Sequence, residues 1–209
     1  MTDPRRVQAI TDRIRYAARS RNFDPHRLRR SLAFQRFLVR VAPHGLVLKG
    51  GFCLEARLGL TARATKDLDL VGALAAAADP DAVLDALEGL FDSELVDDGF
   101  AFRCAMPKRL RSPDDEHDAW RVTVEAVLDG HLFQTIVVDL VGQVAEVEGG
   151  TETLLVASPL TITGLEPVAI RAVDVHQHAA EKFHAYSRVY ARELPSSRDK
   201  DLVDLVARF

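Results

Sequence analysis

An α+β fold, a mixed sheet flanked by helices, is what this sequence predicts. Three observations carry the prediction. The first 42 residues hold two helical runs, each opened by an Asp-Pro pair. A short apolar strand then meets two glycines, a helix and a second strand, all within residues 46–72. Beyond residue 98 come three runs with strand character, and then helical periodicity returns.

Each element has its own reason. In Asp3-Pro4 and Asp24-Pro25 the aspartate can cap the first amides, and proline suits the first helical position. Helices follow over about 5–20 and 25–42, and Pro43-His44-Gly45 ends the second. "LVLKG" is a buried strand, Gly50-Gly51 turns the chain into a helix over 52–59, and "TKDLDLVG" is the next strand. Asp79-Pro80 opens a helix with Val83, Leu84, Leu87 and Leu90 on its apolar face. Strands are expected over about 99–106, 119–128 and 131–141, the last two joined at the hairpin signal Asp129-Gly130. "RLRSPDDEHD" reads as a loop, and after "EVEGGTETLLVA" the chain reads as helical again. "VDVHQHAAEKFHAYSRVYARE" forms one long helix, Leu194 to Ser197 a loop, and "RDKDLVDLVARF" starts a last helix. The sequence stops within that amphipathic pattern, as a longer natural chain would. There is no internal repeat.

Composition narrows the class. The 209 residues suffice for one good-sized domain, with 47% hydrophobic and 28% charged residues. No apolar run reaches the ~18 residues of a membrane span, and the N-terminus lacks the apolar core of a signal peptide. Cys53 and Cys104 stand in apolar contexts, as buried thiols of a reducing cytoplasm would. Residues 1–50 carry twelve Lys/Arg and three Asp/Glu, a net of +9, so the remainder of a chain of net −4 carries −13. A lobe this rich in arginine would draw a polyanion toward the protein.

The stretch that carries chemistry is "KGGFCLEARLGLTARATKDLDL". Residues two apart on a strand share a face, so Asp67 and Asp69 point together while Leu68 and Leu70 enter the core. Two carboxylates this close repel, at a cost on the order of several kcal/mol each if dry and unpaired. A hard divalent ion, chiefly Mg²⁺, relieves both penalties and shares its shell with substrate phosphates. A bare D-x-D is more often a solvated strand end, but its surroundings favour the ion. Gly50-Gly51 at a helix start lets backbone amides approach phosphate, and Lys49 adds a cation. Asp139 stands alone in the apolar strand "TIVVDLVG". If that strand lies beside the one bearing Asp67 and Asp69, three carboxylates converge in the geometry of phosphoryl or nucleotidyl transfer. The histidines of "DVHQHAAEKFH" complete no zinc set.

Glycine turn, short helix, D-x-D strand and third acidic strand together resemble the polymerase beta-type nucleotidyltransferase fold. Three blocks, "LVLKGGFCLEARLGLTARATKDLDL", "LTITGLEPVAIRAVDVHQHAAEKFHAY" and "RDKDLVDL", are similar to the AbiEii/AbiGii-type nucleotidyltransferase toxins, whose relatives include the mycobacterial MenT toxins. The likeness spans roughly residues 45–209. It implies a nucleotidyltransferase core over 45–156 and a C-terminal helical segment over 157–209, and the basic helical segment read from charge and caps precedes them over 1–44. It places the glycine motif on Gly50 and Gly51, where the family often has Gly-Ser, so that one possible hydroxyl ligand of phosphate is missing here. It places the metal acids on Asp67 and Asp69, and the lysine that holds the triphosphate on Lys182. The final acidic motif falls on Asp201 or Asp204, with Asp204 preferred. Arg63 resembles a basic position before the acidic pair. Phosphorylation of Thr65, beside the metal acids, would close the site by like-charge repulsion.

The implied reaction uses an NTP as co-substrate and Mg²⁺ as cofactor. It transfers a nucleoside monophosphate to an acceptor hydroxyl, with Asp139 as further metal ligand or base. The implied acceptor is a tRNA 3′ end, the implied partner a cognate antitoxin, the place the cytoplasm, with no membrane. A protein hydroxyl or a small molecule such as an aminoglycoside would use the same machinery, and a non-catalytic nucleotide- or RNA-binding module would keep the fold without turnover.

Overall fold

The computed structural model describes residues 4–59, 62–77, 79–91, 96–110, 119–142, 150–162 and 164–187, together with Val206. Helix α1 (Pro4–Arg21) buries Ile10, Ile14 and Ala18, spaced four apart on one face, against α2 (Pro25–Val41). The Asp24 side chain caps α2 by accepting from the His26 amide at 2.9 Å, with Pro25 in the first turn. A helix buried on one stripe would leave its arginines wet. Helix α2 instead lies between α1 and the sheet, and eleven of its seventeen residues are buried, Arg36 and Arg40 among them.

The sheet follows in chain order: β1 (Val47–Lys49), β2 (Asp67–Val71), β3 (Phe100–Cys104), β4 (Lys108–Leu110), β5 (Ala119–Leu128), β6 (His131–Val141), β7 (Thr151–Val156) and β8 (Val168–Val173). Between them stand α3 (Gly50–Leu58) and α4 (Pro80–Gly89), and α5 (Val175–Ser187) comes last. Across the sheet the order is β3-β5-β6-β2-β1-β8-β7, with β4 also paired to β5. The β1/β8 and β2/β6 pairs are parallel and the others antiparallel. The mixed α+β sheet with helical flanks is therefore as the sequence predicts. One face packs on α2 through Leu48, Leu68, Leu70, Val122, Val138 and Leu140, all buried.

Several elements differ from expectation. Strand β4 overlaps the start of the segment read as a loop. Strand β7 lies where no element was assigned, and β8 lies in the segment read as helical. Strand β8 is fixed by pairing with β1 at Val47↔Arg171 and Leu48↔Ala172, more than a hundred residues away, which no local pattern shows. The hairpin signal holds, with Asp129 and Gly130 both at positive φ, as a two-residue turn of that kind requires. The expected last helix, with Asp201 and Asp204, lies outside the described residues apart from Val206. Among the described residues no helix is long and apolar enough to cross a membrane. Cys53 and Cys104 are free thiols.

Candidate active site

Sheet register builds the site. Asp69 stands opposite Lys49 on one side and Asp139 on the other, and Asp139 stands opposite Arg121. Directly opposed residues share a face. The row Lys49–Asp69–Asp139–Arg121 therefore crosses four strands on the face away from α2, and Lys108 of β4, opposite Arg121, extends it. Asp67, two residues before Asp69, joins the same face.

At the Lys49 end the backbone closes on Asp69. Gly50 has φ +69°, and a Cβ there would lie 1.8 Å from Asp69 Oδ2. No side chain larger than hydrogen fits without moving the carboxylate. Gly50 opens α3, and its N-cap residue, Lys49, makes no side-chain capping bond to the first turn. Those amides and the helix dipole lie beside the acidic pair. At Gly51 a Cβ would come within 2.6 Å of Thr65 Oγ1. The hydroxyl missing from the glycine motif thus has a neighbouring hydroxyl crowding its place.

Thr65 is buried, and its hydroxyl donates to Asp67 Oδ1 at 3.0 Å. Its amide donates to Glu55 Oε2 at 3.2 Å. The other oxygen of Glu55 accepts from Arg27 Nε at 3.1 Å and from Ser31 Oγ at 2.8 Å. A buried carboxylate on α3 thereby ties α2 to the residue that orients Asp67. Sequence reasoning missed Glu55. Its signal was an acid within the otherwise apolar start of α3, Phe52 to Leu54. In this arrangement the Thr65 hydroxyl is covered, and a kinase would have to open the segment to reach it. Arg63 donates to the Ala64 carbonyl, and its guanidinium lies 3.7 Å from where a Gly51 Cβ would stand.

Electrostatics mark Asp69 as the focus. Burial first, then the charges of Asp67 and Asp139, push its carboxyl up to about 6, while Lys49 and Lys182 pull the other way. Lys182, on α5 and 9% exposed, is thus near enough to act on Asp69 across about 110 residues of chain.

Asp139 stands on β6 directly beside the strand of the acidic pair. It reaches Asp69 in register, but its Oδ1 accepts from Arg121 Nε at 2.8 Å and its Oδ2 from Arg121 Nη2 at 2.7 Å. That bidentate bond raises the Arg121 pKa further. Among the described residues no three acidic, histidine or cysteine side chains are arranged to hold an ion. Asp67 and Asp69 offer oxygens on one face under mutual repulsion, with Asp139 beside them, which fits Mg²⁺, an ion commonly held by one or two carboxylates plus substrate phosphates. Sequence reasoning missed Arg121.

The arginine-rich lobe is less open than its composition suggests. Arg40 bonds both oxygens of buried Asp98, with Arg36 beside it at 3.5 Å, and burial lowers the Arg36 pKa. Arg27 is committed to Glu55 and the Ala62 carbonyl, and Arg29 to the Phe133 ring and carbonyl. These four serve the core.

This chain belongs to the AbiEii family, described as nucleotidyl transferase AbiEii toxin, Type IV TA system, whose pattern matches residues 34–207. Among solved structures it is similar to MenT4, a nucleotidyltransferase toxin from Mycobacterium tuberculosis H37Rv, at 23% identity and a TM-score of 0.44. That match covers 84% of this chain but 59% of MenT4. A second similarity is to ANT(2")-Ia in complex with adenylyl-2"-tobramycin, at 14% identity and a TM-score of 0.40, covering 83% of this chain and 86% of that one. No curated protein matches the chain.

Proposed function

We propose that this chain is the toxin of a toxin–antitoxin pair and transfers a nucleoside monophosphate from an NTP to an RNA acceptor, the 3′ end of a tRNA. The observation that supports this reading best is the meeting of three separate segments: residues 49–51 with Lys49 and the glycine turn, residues 67–69 with the acidic pair, and Lys182. The family supports the reaction class.

In this mechanism the amides of Gly50 and Gly51 and the Lys182 amine bind the triphosphate. Asp67 and Asp69 would hold Mg²⁺, which when bound would lower the acceptor hydroxyl's pKa and neutralise charge developing on the phosphate. Thr65 fixes the Asp67 carboxylate, and the Gly50 backbone fixes that of Asp69, so neither reorganises during the reaction. The acceptor hydroxyl gives its proton to the Asp139 carboxylate as its oxygen attacks the α-phosphorus in line, a new P–O bond forms, the bond from the α-phosphorus to the bridging oxygen breaks, and pyrophosphate leaves toward the glycine turn. Asp139, held by Arg121, positions that guanidinium. The final acidic residue of the motif, Asp201 or Asp204, belongs to the same proposal, as does a cytoplasmic antitoxin.

Incubating total tRNA with each NTP and measuring the RNA masses tests the reading. The wild type should add one or a few nucleotide masses at the 3′ end, and Asp67→Ala should lower the rate at least ~100-fold, as loss of a group that stabilises the transition state does. Equal addition by both proteins, or none by the wild type with any NTP, contradicts it.

A further inference from the structure

We infer that Arg121 and Lys108 form the acceptor side of the site and bind a backbone phosphate of a nucleic-acid strand next to its reacting hydroxyl. This rests on the transfer reaction proposed above and adds which end of the charged row each substrate takes.

The row reads Lys49, Asp69, Asp139, Arg121, Lys108 across five strands. Adjacent strands lie about 4.8 Å apart, so its ends are roughly 19 Å from one another. The glycine turn occupies the Lys49 end. In an in-line displacement the attacking and leaving oxygens lie on opposite sides of the phosphorus. Pyrophosphate leaving toward Gly50 therefore requires the acceptor to approach from the side of Arg121 and Lys108.

The chemistry at that side selects an anion. Asp139 takes the Nε and one Nη2 hydrogen of Arg121, which leaves the far edge of a rigid fork, with three N–H groups, directed away from the carboxylate. The Arg121 side chain is 46% exposed, and Lys108 is exposed beside it. A phosphodiester matches that fork and the neighbouring ammonium. A polycationic small acceptor would meet two positive charges of its own sign. The four arginines of the N-terminal lobe that the core already uses cannot supply this contact.

The test compares wild type, Lys108→Glu, Lys108→Ala and Arg121→Lys with a tRNA acceptor over a series of salt concentrations. Arg121→Lys keeps a cation beside Asp139 while removing the fork, and Lys108→Ala guards against a misfolded charge reversal. All three should raise the KM for tRNA about 10-fold, with the KM for NTP moving less than about 2-fold. Lys108→Ala should also flatten the dependence of log kcat/KM on log salt by about one unit and Lys108→Glu by more, whereas Arg121→Lys, which keeps its charge, should leave that slope near the wild-type value. If the wild type modifies tRNA and the variants keep its tRNA KM and salt slope, the assignment of these residues is overturned while the reaction stands. A rise in the NTP KM alone would place both cations on the nucleotide side and overturn it as well. Transfer by the wild type to a cationic small molecule or to protein, and not to RNA, would remove the reaction and this inference together.

Discussion

Above pH 6 the Asp69 carboxyl must carry a negative charge where burial, Asp67 and Asp139 all oppose it, with Lys49 and Lys182 as partial relief. Because its folded pKa is raised, the neutral form favours folding. Stability from this group is fully present below the unfolded value near 3.8 and is lost as pH rises through about 6. Asp69→Asn removes the charge at all pH values. It should stabilise the metal-free protein by roughly 2–3 kcal/mol at pH 7.5, with the gain over wild type shrinking toward zero at pH 4. Melting curves from pH 4 to 8 would check this, and a gain that grew on acidification would contradict it. At this scale the sequence announced much of the site. The D-x-D spacing, the glycine pair and Lys49 were all legible, because strand alternation and glycine chemistry are local. Arg121 was not. A hairpin counted back from Asp129-Gly130 without interruption sets Trp120 opposite Asp139. A bulge between Ala126 and Val127 shifts the register by one and brings Arg121 there instead.

Among the elements, α3 connects the helical layer to β2. Its Glu55 accepts from Arg27 and Ser31 of α2 and from the amide of Thr65, and Thr65 in turn holds Asp67. A charged acceptor is worth more here than a neutral one, about 1.5–3 kcal/mol for each such bond. Glu55→Gln keeps the volume but halves the acceptor capacity. Asp67 should lose its fixed orientation, with kcat falling about 10-fold while the KM for NTP stays near the wild-type value. Steady-state kinetics would decide, and an unchanged kcat in a folded variant would show that Thr65 holds Asp67 without help. Helices α1, α2 and α4 and strands β5 and β6 were readable because each carries its own cap, periodicity or turn. Strands β7 and β8 were not, since short strands gain their stability from partners distant in sequence.

For the molecule as a whole, charge is organised differently from its distribution along the chain. The excess of arginine in the first fifty residues suggests an open basic lobe. Burial of α2 converts part of that excess into interior ion pairs, notably Arg36 and Arg40 with Asp98. Composition cannot distinguish a cation that faces solvent from one that anchors a core, whereas the fold does so by sandwiching α2. The same folding gathers residues 49–51, 67–69 and 182 around one carboxylate. That convergence is the central claim, and a crystal structure with Mn²⁺ and a non-hydrolysable NTP tests it most directly. The anomalous signal should fall between the carboxylates of Asp67 and Asp69, with the triphosphate on the amides of Gly50 and Gly51 and the Lys182 amine. Metal and triphosphate bound together elsewhere on the molecule, with these residues untouched, would contradict it.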